Sequence, residues 1–304
     1  MMNAVRKVFD NAYLLLILAT LAWGGNAVAG KMAAGDWLPF TITSARWIIV
    51  VFLLLPFVYT HLREERKTLI ANAPKLFVLC GVCMGGFNLG MYLALNYTSA
   101  INVSIEQASM PLVILFLNFM LLRQRVVWQQ LCGLAIAICG VWLTTARGQP
   151  LSLFESGLNR GDAIMLGACV LYASYSVGLR WKPQVSWHSF MFCLAFCAFL
   201  ISVPFTAYEL WQQDHPALQT SDWLVLGYVV IFPSLLSQLA FARGVELIGA
   251  NRAGQFINLV PIFGAVLAVV VLGEQFRWYH AAGLLLVLGG IALAERRSAG
   301  KAIA

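Results

Sequence analysis

Two stretches of the sequence align with each other without a gap: residues 100–140, AINVSIEQASMPLVILFLNFMLLRQRVVWQQLCGLAIAICG, and residues 250–290, ANRAGQFINLVPIFGAVLAVVVLGEQFRWYHAAGLLLVLGG. At a constant shift of 150 residues the shared positions are Ala100 with Ala250, Pro111 with Pro261, Trp128 with Trp278, Gly133 with Gly283 and Gly140 with Gly290. Chance similarity between apolar segments rarely keeps one register over such a length. The pattern therefore predicts an internally duplicated chain.

The composition places most of this chain in lipid. Hydrophobic residues make up 61% of the sequence and charged residues 11%, against about 45–50% and about 25% in soluble domains. A soluble fold of 304 residues could not hide that much apolar surface. We therefore predict an all-α membrane protein.

The apolar runs predict ten transmembrane helices, because a spanning helix needs about 20 apolar residues. Charged or turn-forming segments separate the runs. The predicted helices are residues 11–31, 37–59, 76–96, 98–121, 128–146, 161–180, 187–208, 222–245, 250–273 and 279–295. Arg6, Lys7 and the first run also imitate a secretory signal, but we interpret this run as the first spanning helix.

The positive charges predict the orientation. With the N-terminus in the cytoplasm, fifteen Lys and Arg residues fall on cytoplasmic segments, and only Lys31, Arg147, Arg160 and Arg277 fall on the other side. Cytoplasmic loops of membrane proteins carry such an excess. We expect a multi-pass protein of the bacterial inner membrane with both termini in the cytoplasm.

The duplication divides the chain into a first five-helix repeat, residues 1–146, a periplasmic linker, residues 147–160, and a second five-helix repeat, residues 161–304. Five is an odd number, so the second repeat enters the membrane from the opposite face. Inverted repeats of this kind build many secondary transporters, whose substrate site lies near the midplane between the halves.

Short motifs carry a resemblance to a known family. They are Trp23-Gly24-Gly25-Asn26, Arg46-Trp47, the string Asn258-Leu259-Val260-Pro261, Gly273-Glu274, and the glycines Gly283 and Gly290. On these residues the chain resembles EamA-type members of the drug/metabolite transporter superfamily over nearly its full length. Glu106-Gln107 departs from the family pattern, in which apolar or small residues are commoner. The resemblance implies export of amino acids, including aromatic ones, or of other metabolites or toxic cations.

Polar residues at membrane depth are the candidate substrate site, because a polar group facing lipid is costly. Arg46 and Glu106 lie about 12–14 Å from the same face, counted at 1.5 Å per residue. They could contact substrate, or they could form a structural ion pair. The full candidate set is Trp23, Asn26, Arg46, Asn88, Tyr92, Glu106, Tyr172, Tyr175, Gln238, Gln255 and Asn258. Interhelical hydrogen bonding is the alternative for each polar member.

Pro111 and Pro261 are the candidate gating residues. They occupy equivalent positions inside the fourth and ninth predicted helices. A proline within a helix frees a carbonyl and permits a kink. The kinks could gate the cavity from each side, or they could be passive curvature.

Other classes of function fit the sequence less well. The chain has no G-x-x-x-x-G-K-[ST] motif for ATP, no H-x-x-x-H spacing and no G-x-S-x-G motif. We therefore expect no cofactor, no metal, no ATPase subunit and no enzymatic activity, and the scattered basic residues argue against nucleic acid. A channel-like facilitator stays open as an alternative. The expected partners are a small-molecule substrate and the lipid bilayer, with the protein as a monomer.

Overall fold

The computed structural model describes residues 9–34, 38–123, 127–149, 157–212 and 220–295. Within these residues nine helices are long and apolar enough to cross a membrane, and a tenth apolar helix is shorter. The helices are α1 Ala12–Ala33, α2 Pro39–Glu64, α3 Ala73–Ala94, α4 Ala100–Leu122, α5 Trp128–Thr145, α6 Arg160–Trp181, α7 Trp187–Gln212, α8 Thr220–Ile248, α9 Arg252–Leu272 and α10 Trp278–Ala294. The predicted all-α fold is confirmed.

The outer surface of the bundle is apolar. Phe57 is 77% exposed, Trp211 82% and Val270 75%. Large apolar side chains with this much exposure are costly in water and neutral in hydrocarbon. The bundle therefore has the surface that a lipid environment requires.

The two halves meet reciprocally where α5 crosses α10. A Cβ added at Gly133 would lie 2.3 Å from the carbonyl oxygen of Gly290, and one added at Gly140 would lie 2.7 Å from that of Gly283. Gly133 is equivalent to Gly283 in the repeat, and Gly140 to Gly290. The two contacts are thus one contact made twice, as a two-fold relation between the halves produces. The predicted inverted repeats are confirmed, and small residues let the two backbones approach closely.

A second reciprocal contact joins α2 to α7. Near the end of α7, Glu209 accepts hydrogen bonds from the backbone N–H groups of Phe40 at 3.2 Å and Thr41 at 2.8 Å. Just beyond the end of α2, Glu65 accepts one from the backbone N–H of Ser186 at 2.7 Å. Each carboxylate satisfies backbone amides at the start of the other helix, where N–H groups lack partners within the helix.

Four helices are irregular, in two equivalent pairs. Helix α4 is interrupted at Ser109, just before Pro111, and α9 contains a 3₁₀ turn over Phe256–Asn258, just before Pro261. Helices α3 and α8 contain π-helical segments, Phe77–Gly85 and Phe232–Leu236. Local π segments of this kind occur often at functional sites.

One predicted break is largely helical. Residues 60–75 separate the second and third predicted helices, but α2 continues to Glu64 and a further short helix covers Arg66–Ala71. The charged residues here do not prevent helix formation. They mark where the chain leaves the apolar layer, because the cost of burying charge depends on depth and not on secondary structure.

Candidate functional site

Arg46 on α2 lies at the centre of a buried polar cluster drawn from four helices. Its Nε donates to Ser234 Oγ on α8 at 2.7 Å. Its Nη1 donates to Asn26 Oδ1 on α1 at 3.3 Å, and to Asn88 Oδ1 and Tyr92 OH on α3 at 3.2 and 3.1 Å. All five side chains are buried, and Arg46 itself is 4% exposed. We call these five residues the arginine cluster.

Hydrogen bonds within the arginine cluster fix the orientation of its members. The Tyr92 hydroxyl donates to Asn26 Oδ1 at 2.9 Å, so this amide oxygen accepts from both Tyr92 and Arg46. The Asn88 side-chain nitrogen donates to the carbonyl oxygen of Met84 at 2.9 Å, which leaves its oxygen to face Arg46. The Arg46 guanidinium also lies 4.9 Å from the ring of Trp47, within cation–π range.

The π-helical segment of α8 positions Ser234. Its hydroxyl contacts the carbonyl oxygen of Val229 at 2.6 Å, five residues back. Pro233 has no N–H to donate, and its own carbonyl accepts from Trp23 Nε1 at 3.1 Å. Trp23 is partly buried and packs on Phe241 with ring centroids 5.2 Å apart. Trp23 therefore borders the arginine cluster without a direct bond to Arg46.

Arg46 carries a positive charge with no partner carboxylate among the described residues, because all its hydrogen bonds go to neutral oxygens. Its second terminal nitrogen, Nη2, has no hydrogen bond to any described residue. A buried guanidinium held this way is a ready partner for a carboxylate, which accepts two parallel N–H bonds from one arginine.

Glu106 is not the ionic partner of Arg46. It is completely buried, and within the described ranges neither of its carboxylate oxygens has a hydrogen-bond partner. An ionised group left alone at membrane depth costs at least about 2.5 kcal/mol on insertion scales. The direct ion pair considered from the sequence is therefore absent between these two described residues.

The two tyrosines of α6 form an aromatic patch with α3. The ring centroids of Tyr172 and Phe87 are 5.2 Å apart, and those of Tyr172 and Tyr175 are 6.2 Å apart. Phe87 precedes Asn88, a member of the arginine cluster, by one residue. The patch therefore lies on the same turn of α3 as the polar site.

Three amide candidates remain outside the arginine cluster. Gln238 and Asn258 are partly buried and Gln255 is exposed. None of the three makes a side-chain hydrogen bond to another described residue. The structure thus brings together Asn26, Arg46, Asn88 and Tyr92, with Trp23 alongside, and their role in binding stays a prediction.

Two polar residues outside the candidate set, Ser234 and Asp162, are also buried. Ser234 was visible as a polar residue in an apolar helix, but only the π-helical segment aims it at Arg46. Asp162, at the start of α6, is 1% exposed and accepts a hydrogen bond from Thr98. In the part of the chain that the structure describes, no group of three His, Cys, Asp or Glu residues could hold a metal ion.

Comparison with known proteins shows the family to which the chain belongs. The EamA-like transporter family model matches residues 10–146 and again 159–295. The uncharacterized transporter YetK of Bacillus subtilis (strain 168) is 25% identical over 290 residues, covering 92% of this chain and 85% of the relative. An S-adenosylmethionine/S-adenosylhomocysteine transporter of Chlamydia trachomatis serovar L2 is 22% identical over 301 residues, covering 94% and 88%.

A solved crystal structure agrees in fold. It is 18% identical, superposes with a TM-score of 0.62, and covers 93% of this chain and 96% of its own. The two family matches together span most of the ten helices. The chain belongs to the EamA-like transporter family of the drug/metabolite transporter superfamily and is a multi-pass membrane transporter of small molecules.

Proposed function

We propose that this protein carries amino-acid-like metabolites across the bacterial inner membrane, with Arg46 as the binding group for the substrate carboxylate. The observation that carries the proposal is the state of the guanidinium. It is buried, held by four neutral side chains, and has Nη2 without a hydrogen bond to any described residue.

The fixed geometry of Arg46 favours a carboxylate over other anions or cations. The neutral partners hold the guanidinium plane in place before substrate arrives, so little side-chain entropy is lost on binding. A planar fork of N–H donors matches a carboxylate. An organic cation, the alternative substrate class, would be repelled by the unneutralised charge.

The aromatic side chains near the arginine cluster suit an apolar substrate group. Trp23 borders the cluster through Pro233, and the Phe87–Tyr172 patch lies beside Asn88. Substrate pockets combine such apolar walls with a few placed polar groups. The related Chlamydia protein also fits this class, because S-adenosylmethionine and S-adenosylhomocysteine each carry an amino-acid group.

Alternating access is the mechanism that the inverted repeats favour. The irregular helices α4 and α9 are interrupted next to Pro111 and Pro261, one in each half. In the proposal these two points bend as one half rocks against the other around the site. Both termini face the cytoplasm in this arrangement.

The test compares transport of phenylalanine and of phenethylamine, its decarboxylated analogue, in proteoliposomes. We expect wild-type protein to show saturable phenylalanine counterflow and to discriminate against phenethylamine. Arg46→Gln and Arg46→Lys should each reduce phenylalanine transport at least tenfold, since a hydrogen bond to a charged group contributes about 1.5–3 kcal/mol. Arg243→Gln is the matched control, because Arg243 has a 37% exposed side chain.

Three results bear on the proposal directly. Equal transport of the two compounds by wild-type protein would show that the carboxylate is not recognised and would favour export of organic cations. Flux without saturation or counterflow would indicate a channel. Full phenylalanine transport by a folded Arg46→Gln protein, judged by a single symmetric peak on size-exclusion chromatography, would remove Arg46 from the site.

A further inference from the structure

A row of polar side chains leads from the start of α6 to Glu106. Asn102 and Glu106 are four residues apart, which places them on one face of α4. Thr98, in the bend before α4, contacts Asn102. Asp162 of α6 contacts Thr98 and Asn102. At 1.5 Å per residue, Glu106 lies about 6 Å further along α4 than Asn102. We call Asp162, Thr98, Asn102 and Glu106 the polar row.

Hydrogen bonds connect the outer part of the polar row. The Thr98 hydroxyl donates to Asp162 Oδ1. Asn102 Nδ2 donates to Thr98 Oγ1 at 3.3 Å and approaches Asp162 Oδ1 at 3.5 Å. A Cβ added at Gly161 would lie 2.8 Å from the backbone of Thr98. The close approach of α6 at this glycine holds Asp162 against the row.

The inner part of the polar row has unused hydrogen-bonding capacity. Glu106 is 0% exposed, and both of its carboxylate oxygens lack a partner among the described residues. The same is true of Asn102 Oδ1, one helical turn before it. Buried polar atoms are nearly always paired, so an unpaired group points to a ligand or to a change of state.

A proton is the ligand that best fits this position. A lone carboxylate in a low-dielectric environment is stabilised when it binds a proton, because the charge disappears and an O–H donor is created. A metal cation needs several oxygen ligands at once, and no group of three acidic, His or Cys side chains lies together in the described part of the chain.

We propose that Glu106 is the proton-binding site that couples transport to proton movement, and that Asp162, Thr98 and Asn102 form its path to the face where α6 begins. The charge pattern predicts that face to be periplasmic. A proton bound from that side forms an O–H bond on Glu106, and its release on the other side restores the carboxylate. The coupling role rests on the proposed transport function, whereas the protonation site does not.

The charged and titratable groups around Glu106 leave its carboxylate without a cationic partner among the described residues. Asp162 and Cys169, both on α6, interact with it electrostatically. Groups on the other neighbouring elements have contacts of their own. Lys31 binds the carbonyls of Leu95 and Thr98, and Glu274 accepts from the amides of Ala100 and Ile101 at the start of α4. Arg147 interacts electrostatically with Asp162, and His280 accepts from the backbone N–H of Arg277. No cation pairs with Glu106 among the described residues.

Glu106 also sits at the interruption of α4, where a change of charge can act on the helix. Its carbonyl oxygen accepts from the Ser109 hydroxyl at 2.6 Å and from the Ser109 N–H at 3.0 Å. The Cys169 thiol on α6 approaches the same oxygen at 3.6 Å. Pro111 follows and cannot donate to Gln107. Protonation of Glu106 therefore changes the interactions of the segment that the proposed mechanism bends.

Infrared difference spectroscopy tests the protonation site without any substrate. We expect wild-type protein at pH 7 to show the carbonyl stretch of a buried protonated carboxylic acid. Glu106→Gln should remove this band, and Glu246→Gln should keep it, because Glu246 has a 66% exposed side chain. Identical spectra for wild type and Glu106→Gln would overturn the assignment while leaving the proposed role of Arg46 intact.

Transport in proteoliposomes tests the coupling. With the membrane potential clamped at zero, a gradient of one pH unit should distribute phenylalanine about tenfold unequally, as one proton per substrate requires. Glu106→Gln should keep phenylalanine counterflow but lose this gradient-driven accumulation, and Asp162→Asn should slow it. Accumulation that persists in Glu106→Gln, or that follows a sodium gradient instead, would overturn the proposal. Loss of counterflow in wild type would instead refute the proposed function.

Discussion

The crossing of α5 and α10 can be tested with two neighbouring glycines of one helix. A Cβ added at Gly290 would lie 2.4 Å from the carbonyl oxygen of Gly133, whereas one added at Gly289 would have no atom within 4 Å. Both substitutions to alanine bring the same gain in helix propensity, about 0.5–1 kcal/mol. The difference between Gly290→Ala and Gly289→Ala therefore isolates the close approach of the two backbones.

The expected difference follows from the geometry of the contact. The opposing atom belongs to a helical backbone and cannot rotate away, so α5 and α10 must separate locally by about 1 Å to reach an ordinary separation of about 3.5 Å. Overpacking of this kind costs about 1–3 kcal/mol. At about 2–4 °C per kcal/mol, we expect Gly290→Ala to lower the apparent Tm by about 2–12 °C relative to Gly289→Ala.

Thermal unfolding in detergent, followed by the remaining monodisperse fraction on size-exclusion chromatography, measures this difference. Gly133→Ala should cost as much as Gly290→Ala, because it adds a methyl group on the other side of the same contact. The double variant should cost less than the sum, since the helices are already displaced by the first methyl group. Equal Tm values for Gly290→Ala and Gly289→Ala would refute the close crossing and, with it, this support for the two-fold relation.

Two further predictions concern the ends of the helices. Partial burial raises the pKa of the Glu65 carboxyl, but hydrogen bonds from Ser189 and Ser186 outweigh that effect and hold the pKa below its ordinary value of 4.5. The resulting stabilisation is complete above the ordinary pKa and is lost as pH falls through the lowered pKa. Glu65→Gln should therefore have a lower apparent Tm than wild type at pH 7 and the same apparent Tm in strong acid. A difference in Tm that does not change with pH would contradict this. The orientation can be tested in a variant that lacks the seven native cysteines. Leu158→Cys should react with an impermeant maleimide on intact cells, and Ile70→Cys should react only after permeabilisation. The reverse pattern would show that the predicted orientation is inverted.

Much of the arginine cluster could be predicted because lipid offers polar groups no alternative partner. Four candidates from three apolar helices lie at similar depth, and each needs to be satisfied inside the bundle. They are Asn26, Arg46, Asn88 and Tyr92. Depth follows from the sequence by counting residues. The four side chains therefore meet, as their common depth suggested.

The direction in which a residue faces could not be predicted in the same way. Glu106 lies at nearly the same counted depth as Arg46, but its rotational position on α4 places it without a hydrogen bond or ion pair to the arginine cluster. Helical phase depends on how α4 packs against its neighbours, and counting residues along the sequence does not give that. Ser234 shows the same limit, because a π-helical segment changes the face on which it lies.

Asp162 was overlooked for a different reason. It stands beside Arg160 at the start of an apolar run, where charged residues usually mark the membrane surface. The structure buries it because Gly161 lets α6 approach the backbone at Thr98. A glycine next to an acidic residue at a helix start was the available signal, but its meaning depends on the neighbouring turn, which the sequence alone does not identify.

The scaffold is nearly symmetric, and its chemistry is not. The glycine contact occurs twice between the halves, and the interrupted helices and the π-helical segments each occur once in each half. The repeat partner of Glu106 is Phe256, and α7 carries no Lys, Arg, Asp or Glu before Glu209 to correspond to Arg46 of α2. A symmetric frame suits a protein that exchanges two inverted states of similar energy. In the proposed mechanism, substrate and proton selectivity come from residues that break the symmetry, which is why substitutions at Arg46 and Glu106 should separate binding from coupling.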